Sequence, residues 1–350
     1  MFDILDCTLR DGSYVNKFQF TAQDTRFLCK KNEEAGIQYI EIGHGMGMGA
    51  YRMGNDFEAA ATDEEYLKAA SETVTRSKFG MFCIPGIATL DDIDLAHSMR
   101  MDFIRIGTNL ADVEKSAPFV ERAKKFDMFV CTNFMKSYAS LPDVFVEKAK
   151  LSKSYGSDLI YLVDSAGGMM PDEVENYIKS LKDNVDIEFG FHGHNNLGLA
   201  IANSLLSYRM GARFVDCSLQ GFGRGGGNAP LEQMVLILSR MGVDQGFDYL
   251  KILDVGFDFI QPLLLHAGLN PIDVISGFSL FHSSYMPIIR KFSSKYSVDP
   301  RQLIIELCKK NLIDAPPELV EHIASHLPPI NKNVFGSKYH LDRYYVNEQK

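Results

Sequence analysis

The sequence predicts an α/β fold, a (β/α)8 TIM barrel with a C-terminal helical appendage. Three observations carry that expectation. Eight short β-rich runs alternate with eight amphipathic stretches over residues 1–242, about 30 residues per unit, which is the size of such a barrel. Polar residues collect just after the runs, on their C-terminal side, where a barrel of this kind keeps its chemistry. The first run leads into Arg10-Asp11-Gly12, not into the glycine-rich turn that a doubly wound open sheet would place there.

Each element follows from its residues. The β-rich runs are Asp3–Cys7, Gln38–Ile42, Phe79–Ile84, Asp102–Ile106, Met128–Thr132, Leu159–Val163, Ile187–Phe191 and Arg213–Leu219. Helical patterns fill the gaps, first at Thr21–Ala35, Glu64–Thr75, Leu90–Met99 and Asp112–Phe126. They continue at Pro142–Tyr155, Pro171–Asn184, Leu197–Met210 and Pro230–Met241. Pro142 and Pro171-Asp172-Glu173 suit a first helical turn, where the missing N–H costs nothing and acids favour the positive end of the dipole. Gly36, Gly156 and Gly211 mark helix stops. From Asp244 the strand alternation ceases, and helix-like apolar segments follow at Phe247–Leu265, Pro271–Ser276, Phe278–Lys295, Asp299–Lys310 and Pro317–Leu327. The expected division is a barrel at 1–242, a helical domain at 243–335 and a polar tail at 336–350.

Composition excludes some functions. The 350 residues are 46% hydrophobic and 23% charged, as in a soluble globular protein. Thirty-six basic against 45 acidic side chains give a net charge of −9, poor footing for nucleic-acid binding. No apolar run reaches the roughly 18 residues of a membrane span, and the N-terminus lacks the basic region of a signal peptide. The six cysteines are scattered without a CxxC, so a reducing cytoplasm and an absence of disulfides are expected. A cytoplasmic enzyme or small-molecule binder remains.

The chemistry-bearing residues sit after the strands. His192-Gly193-His194 ends the seventh run, and residues two apart on a strand project to one face. Alone, this reads equally as a metal site or as a pair of hydrogen-bonded histidines. Asp11 follows the first run, across the same mouth, and two imidazoles with one carboxylate make a facial site for a divalent metal. Its other reading is a plain Asp-Gly turn. Arg10 stands beside it with a permanent charge, and Glu41, ending the neighbouring run, is a partner to orient it. Arg105 adds a second cation expected to meet a substrate carboxylate. The stretch from Gly221 to Asn228 opens the eighth helix and reads either as an anion-binding loop or as a surface loop.

Together these segments resemble the HMG-CoA-lyase-like family of TIM-barrel metallolyases, nearest to its metal-dependent 4-hydroxy-2-oxovalerate aldolase branch. The matching pieces are Asp6-Cys-Thr-Leu-Arg-Asp-Gly-Ser13, Glu41-Ile-Gly-His-Gly45, Pro85-Gly-Ile-Ala-Thr89, Val163-Asp-Ser-Ala-Gly167, the run His192 to Asn203, and Gly223 to Glu232. The resemblance implies Asp11, His192 and His194 as metal ligands, with Asn228 as a further ligand or outer neighbour. It implies Arg10 as the residue that stabilises an enolate oxygen, held by Glu41, and Ser165 as a contact to the substrate carboxylate. The chain departs from that branch at two places: Tyr14 stands where the branch has its acid–base histidine, and His282 where it has tyrosine. The base is therefore Tyr14 or His282, and imidazole, with its ordinary pKa of about 6.5 against about 10 for phenol, is the easier one.

The resemblance implies a divalent metal, with Mn²⁺ expected and Mg²⁺, Fe²⁺, Co²⁺ or Zn²⁺ compatible with the donors. It implies a lyase making or breaking a C–C bond next to a 2-oxo acid such as pyruvate through an enolate, with an aldehyde as the other partner. Other readings stand beside it: an acyl-CoA Claisen synthase or lyase of the same family, or a non-catalytic metal-binding barrel. The same ligand trio also serves Fe(II) and O₂ chemistry, which usually sits on a different fold. In the aldolase branch the helical domain docks an aldehyde dehydrogenase, so such a partner, or a second copy meeting through the C-terminal helices, is expected here.

Overall fold

Eight parallel strands close into a barrel in chain order, with the eighth returning to pair with the first. They are β1 (Asp3–Asp6), β2 (Tyr39–Ile42), β3 (Lys78–Cys83), β4 (Phe103–Asn109), β5 (Phe129–Met135), β6 (Leu159–Asp164), β7 (Glu188–Gly193) and β8 (Phe214–Cys217). The computed structural model describes residues 2–243, 246–264 and 270–330. The expected polar tail at 336–350 lies outside the described residues.

A helix follows each strand: α1 (Ala22–Glu34), α2 (Asp63–Ser71), α3 (Leu90–Ser98), α4 (Ala117–Lys124), α5 (Pro142–Tyr155), α6 (Pro171–Asn184), α7 (Ala200–Arg209) and α8 (Leu231–Arg240). Their starts are encoded locally. Thr21 and Thr62 take hydrogen bonds from Asp24 and Glu65 N–H, and those two carboxylates reach back to the threonine N–H groups at 2.8 and 2.7 Å. Gly36, Gly156 and Gly211 all hold positive φ after helices, as expected. Residues 112–126 depart from expectation: a 3-10 stretch, Leu110–Ser116, precedes α4. Pro118 explains it, because it lacks the N–H a continuous helix would need there and crowds the carbonyl one turn back.

Strand periodicity stacks the barrel interior in layers. Tyr39, Phe103, Phe129 and Phe214 pack ring to ring, with centroids 4.7–6.1 Å apart. Two residues further along β2, β4 and β8 the same face carries Glu41, Arg105 and Asp216, all buried. An apolar floor thus supports an ionic layer. Gly190 makes room for that layer: a Cβ there would lie 2.7 Å from the Tyr161 ring, over which the Arg105 guanidinium sits at 4.2 Å.

Beyond the barrel come α9 (Tyr249–Val255), α10 (Pro271–Ser279), α11 (Met286–Tyr296), α12 (Pro300–Cys308) and α13 (Pro317–His326). Ile252, Val255 and Ile260 pack into the barrel's core, whereas Ile272, Phe281, Ile289, Leu303 and Val320 belong to a second core. The packing therefore divides the chain near Leu264, later than 242. The expected single helix at 278–295 is broken in two, because Leu280 adopts the left-handed conformation at φ 56° and a short turn, Ser283–Tyr285, intervenes. That turn reaches the barrel mouth. α10 lies on the rim, where the Asn196 side chain donates to the Asp273 carbonyl at 3.0 Å.

Candidate metal centre at the barrel mouth

The chain turns sharply after β1, with Asp11 N–H donating to the Cys7 carbonyl at 2.8 Å, and that turn lays Arg10 and Asp11 over the mouth. His192 and His194, on one face at the end of β7, meet Asp11 there. One ligand atom from each of the three lies within 4.8 Å of the others, and all three residues are buried. The histidine tautomers follow from their partners. His192 Nδ1 pairs with Asp216 Oδ2 at 2.8 Å and His194 Nδ1 with the Gly227 carbonyl at 3.2 Å, so each ring keeps Nε2 for a ligand. Arg224 Nη2, which can only donate, approaches His194 Nε2 at 3.1 Å, so that nitrogen carries no proton. Burial pushes the His194 pKa down to about 3 and Arg224 adds to this against Asp11, leaving the neutral form that binds metals.

A chain of buried ions ties these ligands together. Arg10 Nη1 donates to Asp11 Oδ1 at 2.8 Å and Arg10 Nε to Glu41 Oε2 at 2.8 Å. Arg105 Nη1 donates to the same Glu41 oxygen at 2.7 Å, and Arg105 Nη2 to Asp216 Oδ2 at 2.5 Å. Asp216 then returns to His192. Burial alone would raise the Asp11 carboxyl, but Arg10 and the histidines hold it well below the usual range. Asp216 behaves likewise under Arg105. Three carboxylates face two guanidiniums in this layer, which leaves one negative charge buried at the ligand end.

That surplus suits a cation, and the donors are the mixed nitrogen and oxygen set that divalent metals take. Asn228 supports the fit. Its Nδ2 donates to Asp11 Oδ2 at 2.9 Å while its buried Oδ1 has no hydrogen-bond partner among the described residues. Gly223 keeps the space open, since a Cβ there would stand 2.7 Å from Asp11 Oδ2.

The other expected site residues line the rim or lie beneath it. Ser165, just past β6, accepts from Lys136 N–H at 3.1 Å. Tyr14 ends a short 3-10 turn, with the Arg224 guanidinium 5.7 Å above its ring. His282, from the second core, meets Arg224 Nη1 at 3.0 Å through Nε2. The structure thus brings Tyr14 and His282 to one cation, Arg224. Arg105 sits lower than expected: it is wholly buried and both Nη atoms are paired.

A family model described as HMGL-like matches residues 1–258. A 4-hydroxy-2-oxovalerate aldolase of Bacillus thuringiensis is 32% identical over 95% of this chain and 97% of its own. One from Carboxydothermus hydrogenoformans is 34% identical over 94% and 98%. The chain belongs to the HMGL-like family. The barrel of this HMGL-like protein recurs in solved structures. The N-terminal domain of a Bacteroides vulgatus protein superposes with a TM-score of 0.70 at 24% identity, covering 89% of this chain and 97% of that one. The carboxyl transferase domain of Rhizobium etli pyruvate carboxylase gives 0.75 at 14%, covering 92% and 59%. Both the fold and the family agree with the sequence reading. Aldolases of the HMGL-like family are divalent-metal dependent, in keeping with the Asp and His cluster at this mouth. No described helix is long and apolar enough to cross a membrane.

Sequence reading of this HMGL-like chain missed three residues. Asp216 had a signal, a lone acid inside Phe214-Val215-Asp216-Cys217, where a buried charge requires a partner. Arg224 lay within the glycine-rich stretch already singled out, without a role. Lys136 had no signal; its left-handed backbone, φ 56°, and its contacts with the helical domain are tertiary facts.

Proposed function

We propose that this protein is a divalent-metal-dependent aldolase that makes or breaks the C3–C4 bond of a 4-hydroxy-2-oxo acid, releasing or consuming pyruvate and an aldehyde. The observation that carries the reading is the buried trio Asp11, His192 and His194 at the negative end of an ion chain that also holds Arg10. These three would hold the metal, with Asn228 as an added ligand or neighbour, and Mn²⁺ is the ion we favour. When bound, the metal supplies Lewis acidity to the 2-oxo acid's keto and carboxylate oxygens.

The chain's own residues do the rest. In cleavage, a base takes the proton of the C4 hydroxyl, the C3–C4 bond breaks, and the C4 oxygen becomes the aldehyde carbonyl. The bonding electrons pass to the keto oxygen as an enolate, and a proton then returns to C3 to give pyruvate. Arg10, fixed by Glu41 and Asp11, keeps Nη2 for the developing negative oxygen. We assign Ser165, just past β6, the contact to the substrate carboxylate that the resemblance implies. We place Arg105 one layer down, as a positioning residue that holds Glu41 and Asp216 and not as a substrate contact.

His282 is our base. Its Nε2 faces Arg224 Nη1 at 3.0 Å, while its Nδ1 accepts from Ser284 N–H at 3.2 Å and lies 2.7 Å from Ser284 Oγ. Burial first, then the charges of Arg224 and Lys136, lower its pKa well below that of ordinary imidazole, so the ring is neutral at neutral pH. Tyr14 would then serve beside it as a polar contact. The protein partner implied by the resemblance, an aldehyde dehydrogenase or a second copy, would meet exposed apolar side chains of the C-terminal region such as Leu250, Phe257 and Phe278. Light scattering of the pure chain distinguishes a monomer from a homo-oligomer.

The test is exchange of the pyruvate C3 protons in D₂O, followed by NMR with Mn²⁺ and after chelation. Metal-dependent exchange is expected. Metal-loaded protein that never exchanges these protons overturns the reading.

A further inference from the structure

The rim of the mouth holds two cations whose side-chain hydrogen bonds, among the described residues, all go to neutral groups. Arg224 Nη1 meets His282 Nε2 at 3.0 Å and Ser283 Oγ at 3.2 Å, while Nη2 meets His194 Nε2 at 3.1 Å. Lys136 Nζ donates to the Tyr285 hydroxyl and, at 3.0 Å, to the Ile313 carbonyl, and lies 4.6 Å above the Tyr285 ring. Neither makes an ion pair with a carboxylate among the described residues, whereas Arg10 and Arg105 one layer below both do. The two cations clasp the same short turn from opposite sides: Arg224 holds it at His282 and Ser283, Lys136 at Tyr285. They are close enough to matter to each other. Burial and then the charge of Arg224 bring the Lys136 pKa down to about 8.

A second point concerns the Arg224 donor. His194 Nε2 is the nitrogen that a metal would claim. With it claimed, Arg224 loses an acceptor beside a divalent ion. A buried and a half-buried cation, one with a released donor, then stand beside the base, Arg224 in contact with it at 3.0 Å. An anion is the group that satisfies them.

We propose that Arg224 and Lys136 form an anion subsite, so that the acceptor aldehyde carries its own acidic group, a carboxylate or a phosphate, at the end away from the reacting carbonyl. This rests on the aldolase reading above. The subsite fixes which aldehydes react with pyruvate and itself exchanges no proton or bond with the substrate.

The experiment compares acceptors with pyruvate and Mn²⁺ in the full-length protein: butanal, succinic semialdehyde of the same carbon count, and glyceraldehyde 3-phosphate. At least one anionic aldehyde is expected to exceed butanal in kcat/KM by about 10- to 100-fold, the range of a charge-assisted hydrogen bond. The carboxylate and phosphate arms tell which anion the site prefers. Arg224→Met and Lys136→Met are expected to shrink that ratio by 10-fold or more, with Arg224→Lys restoring part of it. Pyruvate C3 exchange in the wild type separates the two claims. Exchange with a wild-type ratio near one overturns the anion subsite alone. A ratio that survives in both folded methionine variants also overturns it, and no exchange overturns both readings.

Discussion

Two cationic layers lie one above the other at the C-terminal end of the barrel, and they are built differently. In the lower one, Arg10 and Arg105 are matched by Asp11, Glu41 and Asp216 at 2.5–2.8 Å, all buried. In the upper one, Arg224 and Lys136 lean on two imidazoles, two hydroxyls and a carbonyl. The lower layer has an excess of negative charge and calls for a cation. The upper layer has an excess of positive charge and calls for an anion. A buried charge is costly unless paired, so each imbalance points to a ligand the chain itself does not supply. The protein as a whole is acidic, yet the upper layer of its mouth gathers two cations that make no ion pair with a carboxylate among the described residues.

The largest test of this contrast removes the lower layer's ligand. Asp11→Asn keeps the shape and deletes the charge; bound metal, read by elemental analysis, and pyruvate exchange should both fall, the exchange by about 10³-fold, equivalent to several kcal/mol. A variant that keeps both metal and turnover would remove the metal centre from the picture. Next is Asp216→Ala, which leaves Arg105 Nη2 unpaired in the interior with Glu41 as its remaining carboxylate. It should cost about 3–5 kcal/mol, read as a lowered Tm, because a buried charge loses one of its two partners. The milder Asp216→Asn should instead weaken metal affinity by about 10- to 100-fold through a misdirected His192.

Arg10→Lys sharpens the comparison further. The charge stays but the fork that reaches Glu41 and Asp11 together is lost, and kcat should drop about 100-fold with little change in KM. A smaller effect separates the layers by pH. His282 has a lowered pKa, so it stays neutral as pH falls through 6.5 and protonates only below it. The acid limb of kcat/KM should therefore lie under pH 6.5 and disappear in His282→Ala. Last, Ser165→Ala should raise KM for pyruvate by several-fold, the scale of one hydrogen bond to a charged group.

Much of the lower layer could be read without coordinates. His192 and His194 follow from strand periodicity, and Asp11 and Arg10 from their place after the first strand. Glu41 was expected to orient Arg10 and does contact it at 2.8 Å. Arg105 was expected one step too high, because its position two residues past Phe103 on a buried strand puts it inside the ion layer. The upper layer was hardly legible. Arg224 is a long side chain on a glycine-rich loop, and Gly225 and Gly227 at positive φ let that loop take many courses. Only packing against the second core chooses one. The broken helix at Leu280 shows the same limit: its apolar pattern continues through 278–295, and the left-handed residue that delivers His282 to the mouth interrupts it.

What the amino-acid order determined on its own is local: alternation of strand and helix, capping, the stops at Gly36, Gly156 and Gly211, and which residues share a strand face. These depend on neighbours a few positions apart, and the chain closes into a barrel because each unit repeats the same geometry. What only the tertiary structure decided is pairing across long separations. Arg105 meets Asp216 across 111 residues, Lys136 meets Ile313 across 177, and Asn228 meets Asp11 across 217. Such pairs depend on where a side chain's far end lies after the whole core has packed, and no short-range pattern encodes that.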